Sequence, residues 1–129
     1  PRGILLRQDA GPANPLGQVA IRFANPFSVY LHDTPSKPLF ERAARAVSSG
    51  CVRVESALQL VDLLLEADER DTVARLLQSG ETHEYRLARQ TPILMAYWTA
   101  DADDSGLPRY RPDIYKRDAA LLRALDAAR

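Results

Sequence analysis

Cys51, the single cysteine of the chain, lies in "SSGCVRV", directly after a glycine and two residues before an arginine. Gly50 can adopt a positive φ, so the amides of Ser49, Gly50 and Cys51 could converge on one point as an oxyanion hole. Residues two apart in an extended segment share a face, which would place the Arg53 guanidinium beside the sulfur. There it could favour the thiolate and bind a substrate carboxylate. These neighbours favour a reactive thiol, although a lone cysteine is more often a small buried hydrophobic residue.

A cysteine nucleophile needs a base, because a thiol is mostly protonated at neutral pH. His32 ends a predicted strand in "VYLHDTP", whereas His83 lies in the polar linker "SGETHEY", so His32 is the predicted base. Asp33 is a candidate for the third member of a catalytic Cys-His-Asp triad. Because it is adjacent to His32 on a strand, however, its side chain would point to the opposite face. The Asp33 backbone carbonyl is therefore the better candidate to orient the imidazole. Tyr30, on the same face as His32, is a candidate to line the substrate groove.

The composition is that of an ordinary globular protein, with 46% apolar and 26% charged residues. The 17 basic and 17 acidic residues leave no net field that would attract nucleic acid or anionic lipid. The apolar runs are far shorter than the ~20 residues of a membrane helix, and one cysteine cannot form an internal disulfide. We therefore expect one domain over residues 1–129, without a nucleic-acid partner or a membrane span.

The first half of the chain is predicted to be rich in β structure and to position His32. "QVAIRF" alternates, which places Val19, Ile21 and Phe23 on one face, and "SVYLH" follows after a turn, so the two runs predict a hairpin. The preceding stretch, "PRGILLRQDAGPANPLG", is predicted to be irregular. A long, partly helical connection, "DTPSKPLFERAARA", leads to the cysteine.

After Arg53 the hydrophobic period becomes helical. "ESALQLVDLLLEA" and "DTVARLLQSG" predict two helices, the second ending at Gly80. "EYRLA", "TPILMAYWTA" and "LPRYR" are predicted strands, and "IYKRDAALLRALDAA" a closing helix, so the fold class is α+β with Cys51 at the junction. The loop "DADDSG" resembles the first half of a calcium-binding EF-hand loop. Pro112, however, occupies the twelfth position, where such a loop needs a bidentate Glu. A hairpin turn without a metal site is predicted there.

The segment "YLHDTPSKPLFERAARAVSSGCVRV" resembles the active-site segment of the L,D-transpeptidase catalytic domain family, the YkuD type. The family pattern has a histidine, a spacer, Ser or Thr, any residue or His, then Gly, Cys, an aliphatic residue and Arg or Asn. This chain supplies His32 and then Ser48 to Arg53; Ser49 stands where many members have a second histidine. "GPANPLG", "AYWTA" and "RPDIY" resemble the larger Gram-negative branch. The family domain normally has strands before "GPANPLG" that this sequence does not show. We therefore expect residues 1–129 to be the C-terminal portion of the catalytic domain, unless something else covers that side of the sheet.

The resemblance implies a mostly β transpeptidase-type sheet with helices after the cysteine, and an acyltransferase without a cofactor. Cys51 would be the nucleophile and His32 its base, and Arg53 would hold or orient the site. We also expect Arg53, Tyr30 and Ser48 to contact the substrate. Family members cleave the terminal D-alanine from a peptidoglycan tetrapeptide stem and transfer the acyl group to an amine of a neighbouring stem. The resemblance also implies covalent inhibition by carbapenem-type β-lactams and a location in the periplasm or cell envelope of a Gram-negative bacterium.

Two other functions are compatible with the same residues. A peptidoglycan L,D-carboxypeptidase would use the same thiol and let water resolve the acyl-enzyme. A non-catalytic peptidoglycan-binding module would leave Cys51 inert. If strands are missing, an unpaired sheet edge would also favour association with another chain.

Overall fold

A computed structural model describes residues 8–128 and has an α+β architecture, which confirms the predicted fold class. The chain divides into two compact units, one that ends at Thr91 and one that begins at Pro92. The single domain over residues 1–129 stays a prediction. The first seven residues of the predicted irregular stretch lie outside the described residues, and the remainder of that stretch contains no helix or strand.

Three short strands form the sheet of the first unit, in the order β1 (Ala20–Ile21), β2 (Leu31–His32) and β3 (Val52–Arg53). β1 and β2 are antiparallel, so the predicted hairpin is confirmed. β3 pairs with β2 in parallel, and this places β2 in the middle of the sheet.

The strands are shorter than the predicted runs, although the predicted alternation is present. Val19, Ile21 and Phe23 are half-buried, while the residues between them are exposed. The hairpin loop is held by a side chain instead of a strand ladder. Asn25 donates from Nδ2 to the carbonyls of Phe23 and Val29 at 2.9 and 2.7 Å, and its Oδ1 accepts the Val29 amide. These bonds replace ladder hydrogen bonds, which explains why the pairing is limited to two residues per strand.

The connection between β2 and β3 contains a 3₁₀ helix at Lys37–Glu41, as expected for a partly helical segment. Pro38 lies at the start of this helix, where its missing N–H costs nothing.

Helices α1 (Ala57–Leu64) and α2 (Arg70–Gln78) follow β3. They confirm the two predicted helices, and Gly80, with φ of +72°, lies just past the end of α2. The buried apolar side chains of the described part of this unit are Ala57 at the start of α1, Leu65 just after its end and Val73 in α2.

The second unit contains a hairpin of β4 (Ala100–Ala102) and β5 (Pro108–Tyr110) and the closing helix α3 (Asp118–Ala127). The turn at "DADDSG" is confirmed as a hairpin turn. Asp103 Oδ1 holds it by accepting the amides of Ser105 and Leu107 at 2.9 and 3.0 Å.

Some of the predicted elements of the second half are wrong. "EYRLA" contains no strand, and in "TPILMAYWTA" only the final alanine is part of one. The Ala88 amide donates to the carboxylate of Glu69. This segment is therefore held by a side chain and not by pairing with a neighbouring strand. The closing helix begins at Asp118 and not in "IYKR", because Lys116 has φ of +54° and cannot continue a helix.

Candidate active site

The parallel pairing of β2 with β3 brings the predicted base and the cysteine loop together. His32 is the register partner of Arg53, so the two side chains lie on the same face of the sheet. The Val52 amide donates to the Tyr30 carbonyl at 3.0 Å and the Val54 amide donates to the His32 carbonyl at 2.8 Å. Two segments that are distant along the chain therefore meet in one register.

A cleft of about 310 Å³ opens at this meeting point. Its walls include most of the predicted site residues and parts of three loops: Pro15, Leu16, Phe27, Ser28, Val29, His32, Val47, Ser48, Ser49, Gly50, Cys51 and Arg53. Tyr30 and Asp33, two further candidates, are not among these lining residues. The structure thus gathers the thiol, the imidazole and the guanidinium around one open volume.

The Cys51 thiol is half-buried, and its Sγ lies 3.9 Å from the Ser28 carbonyl oxygen. Within the described residues, no hydrogen bond joins Sγ to the His32 ring; such bonds often tighten only when substrate is bound. Burial and a hydrogen-bond contact with Cys51 raise the pKa of Tyr30 above its ordinary value, against the opposing effect of Arg22. The phenol next to the thiol is therefore protonated at neutral pH.

His32 is 6% exposed, and a backbone carbonyl sets its tautomer. Its Nδ1 is in hydrogen-bond contact with the carbonyl oxygen of Asp33, as the sequence predicts. Because a carbonyl can only accept, Nδ1 carries a proton, and in the neutral ring Nε2 is the nitrogen that keeps its lone pair. The Tyr30 ring packs beside the imidazole, with ring centroids 5.8 Å apart.

The Asp33 carboxylate points away from the imidazole and does not form a triad with it. Its Oδ2 accepts the Gln18 amide at 2.9 Å, and its Oδ1 accepts from Lys37 Nζ at 2.6 Å. Burial opposes ionisation, but the hydrogen bonds from Lys37 and from the Gln18 and Thr34 amides outweigh it, so the pKa of Asp33 lies below its ordinary value. Sequence reasoning predicted this opposite orientation but missed Lys37, although a lysine four residues after an aspartate could have indicated it.

The loop before Cys51 is shaped by Gly50 and Ser48. Gly50 has φ of +147°, a conformation that favours glycine. The Ser48 hydroxyl donates to the Cys51 carbonyl at 2.7 Å and accepts the Gly50 amide at 3.4 Å. In the part of the chain that the structure describes, the amides of Ser49 and Cys51 have no hydrogen-bond acceptor, so both can donate to a ligand.

Arg53 has unused hydrogen-bonding capacity at the wall of the cleft. Its Nη1 donates to the Val47 carbonyl over a long 3.4 Å, and its buried Nε has no partner among residues 8–128. A buried donor without a partner is unusual in a folded protein. The guanidinium can therefore bind an anionic group without breaking a strong internal contact.

Two further observations concern the region outside the cleft. His83 is exposed, and its Nε2 lies 2.9 Å from the Ser79 hydroxyl, so it is not part of the cleft wall. Across residues 8–128, no helix is long and apolar enough to cross a membrane, and no cluster of three or more His, Cys, Asp or Glu side chains could hold a metal ion.

Comparison with known proteins agrees with the geometry of this cleft. Residues 2–76 match the YkuD family, described as the L,D-transpeptidase catalytic domain. A Haemophilus influenzae protein with a provisional L,D-transpeptidase name is 38% identical to this chain over 118 residues, which is 90% of the chain. The chain spans only 24% of the length of that curated relative. The matched residues include His32, Cys51 and Arg53, and the chain therefore belongs to the L,D-transpeptidase catalytic domain family.

Proposed function

We propose that this chain carries the active site of a cysteine acyltransferase that acts on peptidoglycan stem peptides. The observation that supports it best is the single cleft in which a half-buried thiol, an imidazole with a free Nε2 and an unsatisfied guanidinium meet. Family membership supports the substrate class, because members act on the bond before the terminal D-alanine of the stem.

In the first half of the reaction, His32 Nε2 takes the proton of Cys51, and Sγ attacks the carbonyl carbon of the third stem residue. The amides of Ser49 and Cys51 donate to the oxyanion that forms, and Gly50 gives the loop the conformation that aims them. When the intermediate collapses, the C–N bond breaks and D-alanine leaves with the proton returned by His32. The product of this step is a thioester on Cys51.

In the second half, an amine of a neighbouring stem attacks the thioester. His32 accepts a proton from that amine and returns it to the sulfur, so that an amide forms and the thiol is restored. Water in place of the amine would give a carboxypeptidase. The same cleft serves both outcomes, and the difference lies in which nucleophile reaches the thioester.

Three other residues support this chemistry. Arg53 binds a carboxylate of the stem through the nitrogens that lack strong partners. Tyr30 stays protonated, and it helps to order the sulfur and the imidazole through its hydrogen-bond contact with Cys51 and its ring contact with His32. Ser48 contributes mainly by holding the loop, because its hydroxyl is already bonded within it.

The family also suggests a setting for the protein. We propose that it works in the periplasm or cell envelope of a Gram-negative bacterium, where peptidoglycan is found. The Haemophilus relative supports this setting.

The test uses a carbapenem-type β-lactam and intact-mass spectrometry. Attack by Cys51 Sγ on the lactam carbonyl opens the ring and keeps every atom of the antibiotic, so the mass should rise by one antibiotic mass. The adduct should disappear in Cys51→Ala and remain in His83→Ala, which changes a histidine outside the cleft. Absence of the adduct from a folded chain with a reduced thiol would contradict the acyltransferase and favour a binding module.

A second measurement separates transfer from hydrolysis. The chain is incubated with a tetrapeptide stem in the presence and absence of an acceptor stem, and the products are separated by mass. A cross-linked dimer indicates a transpeptidase, whereas a tripeptide without a dimer indicates a carboxypeptidase.

A further inference from the structure

Lys37 connects the two segments that carry the base and the nucleophile. Its Nζ donates to the Asp33 carboxylate at 2.6 Å, directly after β2, and to the Glu55 carbonyl at 2.5 Å, shortly after β3. Asp33 follows His32, and Glu55 lies four residues beyond Cys51. One ammonium group therefore joins the segment after β2, which carries His32, to the segment after β3, the strand that Cys51 directly precedes.

The Asp33 residue is restrained from several other directions. Its backbone amide donates to the Val19 carbonyl at 2.9 Å, and its carboxylate accepts the Gln18 amide at 2.9 Å. Gly17, with φ of +60°, packs so closely that a Cβ there would lie 2.7 Å from Asp33 Cβ. The Asp33 side chain is 11% exposed in its ion pair with Lys37. These contacts immobilise the residue whose carbonyl accepts from His32 Nδ1.

We propose that Lys37, acting through Asp33 and the Glu55 carbonyl, is a positioning residue for the Cys51–His32 couple. This inference rests on the proposed function. Lys37 touches neither the thiol nor the substrate cleft. It holds the Asp33 carbonyl where it selects the Nδ1–H tautomer, and it holds β2 against β3 so that the imidazole and the thiol keep their relative position. Small displacements of a reacting group are costly, so such a restraint matters for the rate.

The experiment measures the tautomer of His32 directly. The chain contains two histidines, so ¹⁵N spectra of the imidazole nitrogens can be assigned with His83→Gln. Wild type should show a protonated Nδ1 and an unprotonated Nε2. Lys37→Met keeps the side-chain length but removes the donors, and it should shift the neutral ring toward the Nε2–H form. The same variant should slow β-lactam acylation of Cys51 roughly tenfold to a hundredfold.

The controls separate positioning from general stability. Lys37→Arg can reach both acceptors and should restore the Nδ1–H tautomer and most of the rate. Lys116→Met, in the second unit, should change neither. Each variant is compared at a temperature well below its own melt. Should Lys37→Met fail to fold, Asp33→Asn provides the same comparison, because it preserves the shape but weakens the contact with Lys37.

Two outcomes would overturn the inference. The first is an unchanged tautomer and an unchanged acylation rate in Lys37→Met, in a chain whose wild type acylates; this would reject only the role of Lys37. The second is a slower acylation of Cys51 in Lys37→Met, with an unchanged His32 tautomer, that is not restored in Lys37→Arg. A wild-type chain with the Nδ1–H tautomer that forms no adduct would instead contradict the proposed function.

Discussion

At His32, one hydrogen bond from the ring to the next residue's carbonyl decides which nitrogen can act as a base. The contact of Nδ1 with the Asp33 carbonyl leaves Nε2 as the acceptor. This arrangement needs no carboxylate partner, and the Asp33 carboxylate is bound to Lys37 and the Gln18 amide instead. In the proposed Cys51–His32 couple the imidazole is therefore oriented by the backbone, and its orientation depends on how firmly that backbone is held.

Replacement of His32 by Ala should slow alkylation of Cys51 by iodoacetamide at neutral pH. The thiolate is the reacting form, and a general base ordinarily contributes roughly 10²- to 10⁴-fold to catalysis, so acylation should fall by a similar factor. Replacement of His83 by Ala is the matched control, since that ring lies outside the cleft. Equal effects of both substitutions on the alkylation rate would contradict the assignment of His32.

Replacement of Arg53 by Ala should reduce the use of a stem peptide more than Arg53→Lys. Hydrogen bonds to a charged group are worth about 1.5–3 kcal/mol, so the Ala variant should lose roughly tenfold to a hundredfold in kcat/KM. Lysine keeps the charge but lacks the planar fork. If Lys proves as damaging as Ala, a simple charge role is ruled out. Equal activity of all three proteins would remove Arg53 from the substrate site.

At the scale of elements, Glu69 fastens the segment after α2 to the start of that helix. Its carboxylate, which is 5% exposed, accepts the Glu66 and Ala88 amides at 2.9 Å and the Tyr85 hydroxyl at 3.0 Å. Hydrogen bonds from the Glu66 and Ala88 amides lower the pKa of Glu69, although burial opposes them. A side chain therefore organises a segment whose sequence resembles a strand.

We expect Glu69→Gln to increase hydrogen exchange at residues 85–88. Both carboxylate oxygens of Glu69 accept hydrogen bonds, whereas Gln has an NH₂ group in place of one oxygen, so one of these hydrogen bonds is lost. The lowered pKa means that the contribution of Glu69 to stability is complete above its unfolded-state value of about 4.3 and is lost as the pH falls through the lower folded value. Protection of the Ala88 amide should therefore decrease in acid. Glu81→Gln, at an exposed position, should leave the exchange unchanged. Unaltered protection in Glu69→Gln would show that the segment is held by other contacts.

At the scale of the whole molecule, the described residues bury little apolar surface. Among residues 8–128, the buried apolar side chains are only Ala57, Leu65 and Val73, and many large apolar side chains are exposed, among them Trp98 at 63% and Tyr110 at 78%. The apolar positions of α3, Leu121, Leu122 and Leu125, are also more than half exposed. In the part of the chain that the structure describes, β1 and β3 are the outer strands of the first sheet, so its open edges lie on them and not on β2. Exposed apolar faces and open edges both favour association.

We therefore expect the 129-residue chain to be oligomeric or marginally stable in isolation. Sedimentation velocity over a range of concentrations should show species larger than a monomer. A double variant, Leu122→Lys with Leu125→Lys, should stay associated if a sheet edge carries the contact and dissociate if α3 carries it. A monomer at every concentration, with a cooperative melt typical of ordinary domains, would contradict the expectation.

Local patterns in the sequence determined a large part of this structure. The resemblance of the segment from His32 to Arg53 to a family pattern implied a shared site, strand alternation predicted that the Asp33 carboxylate would turn away, and the helical period predicted α1 and α2. The last two features depend on short-range geometry, in which neighbours along the chain have only a few allowed directions. Tertiary structure alone decided that β3 runs parallel to β2, that Lys37 joins Asp33 to Glu55, and that Glu69 binds a segment expected to be a strand. The partner of a buried charge or an unpaired amide depends on which distant segments meet. The local hydrophobic periodicity of the sequence cannot predict that partner.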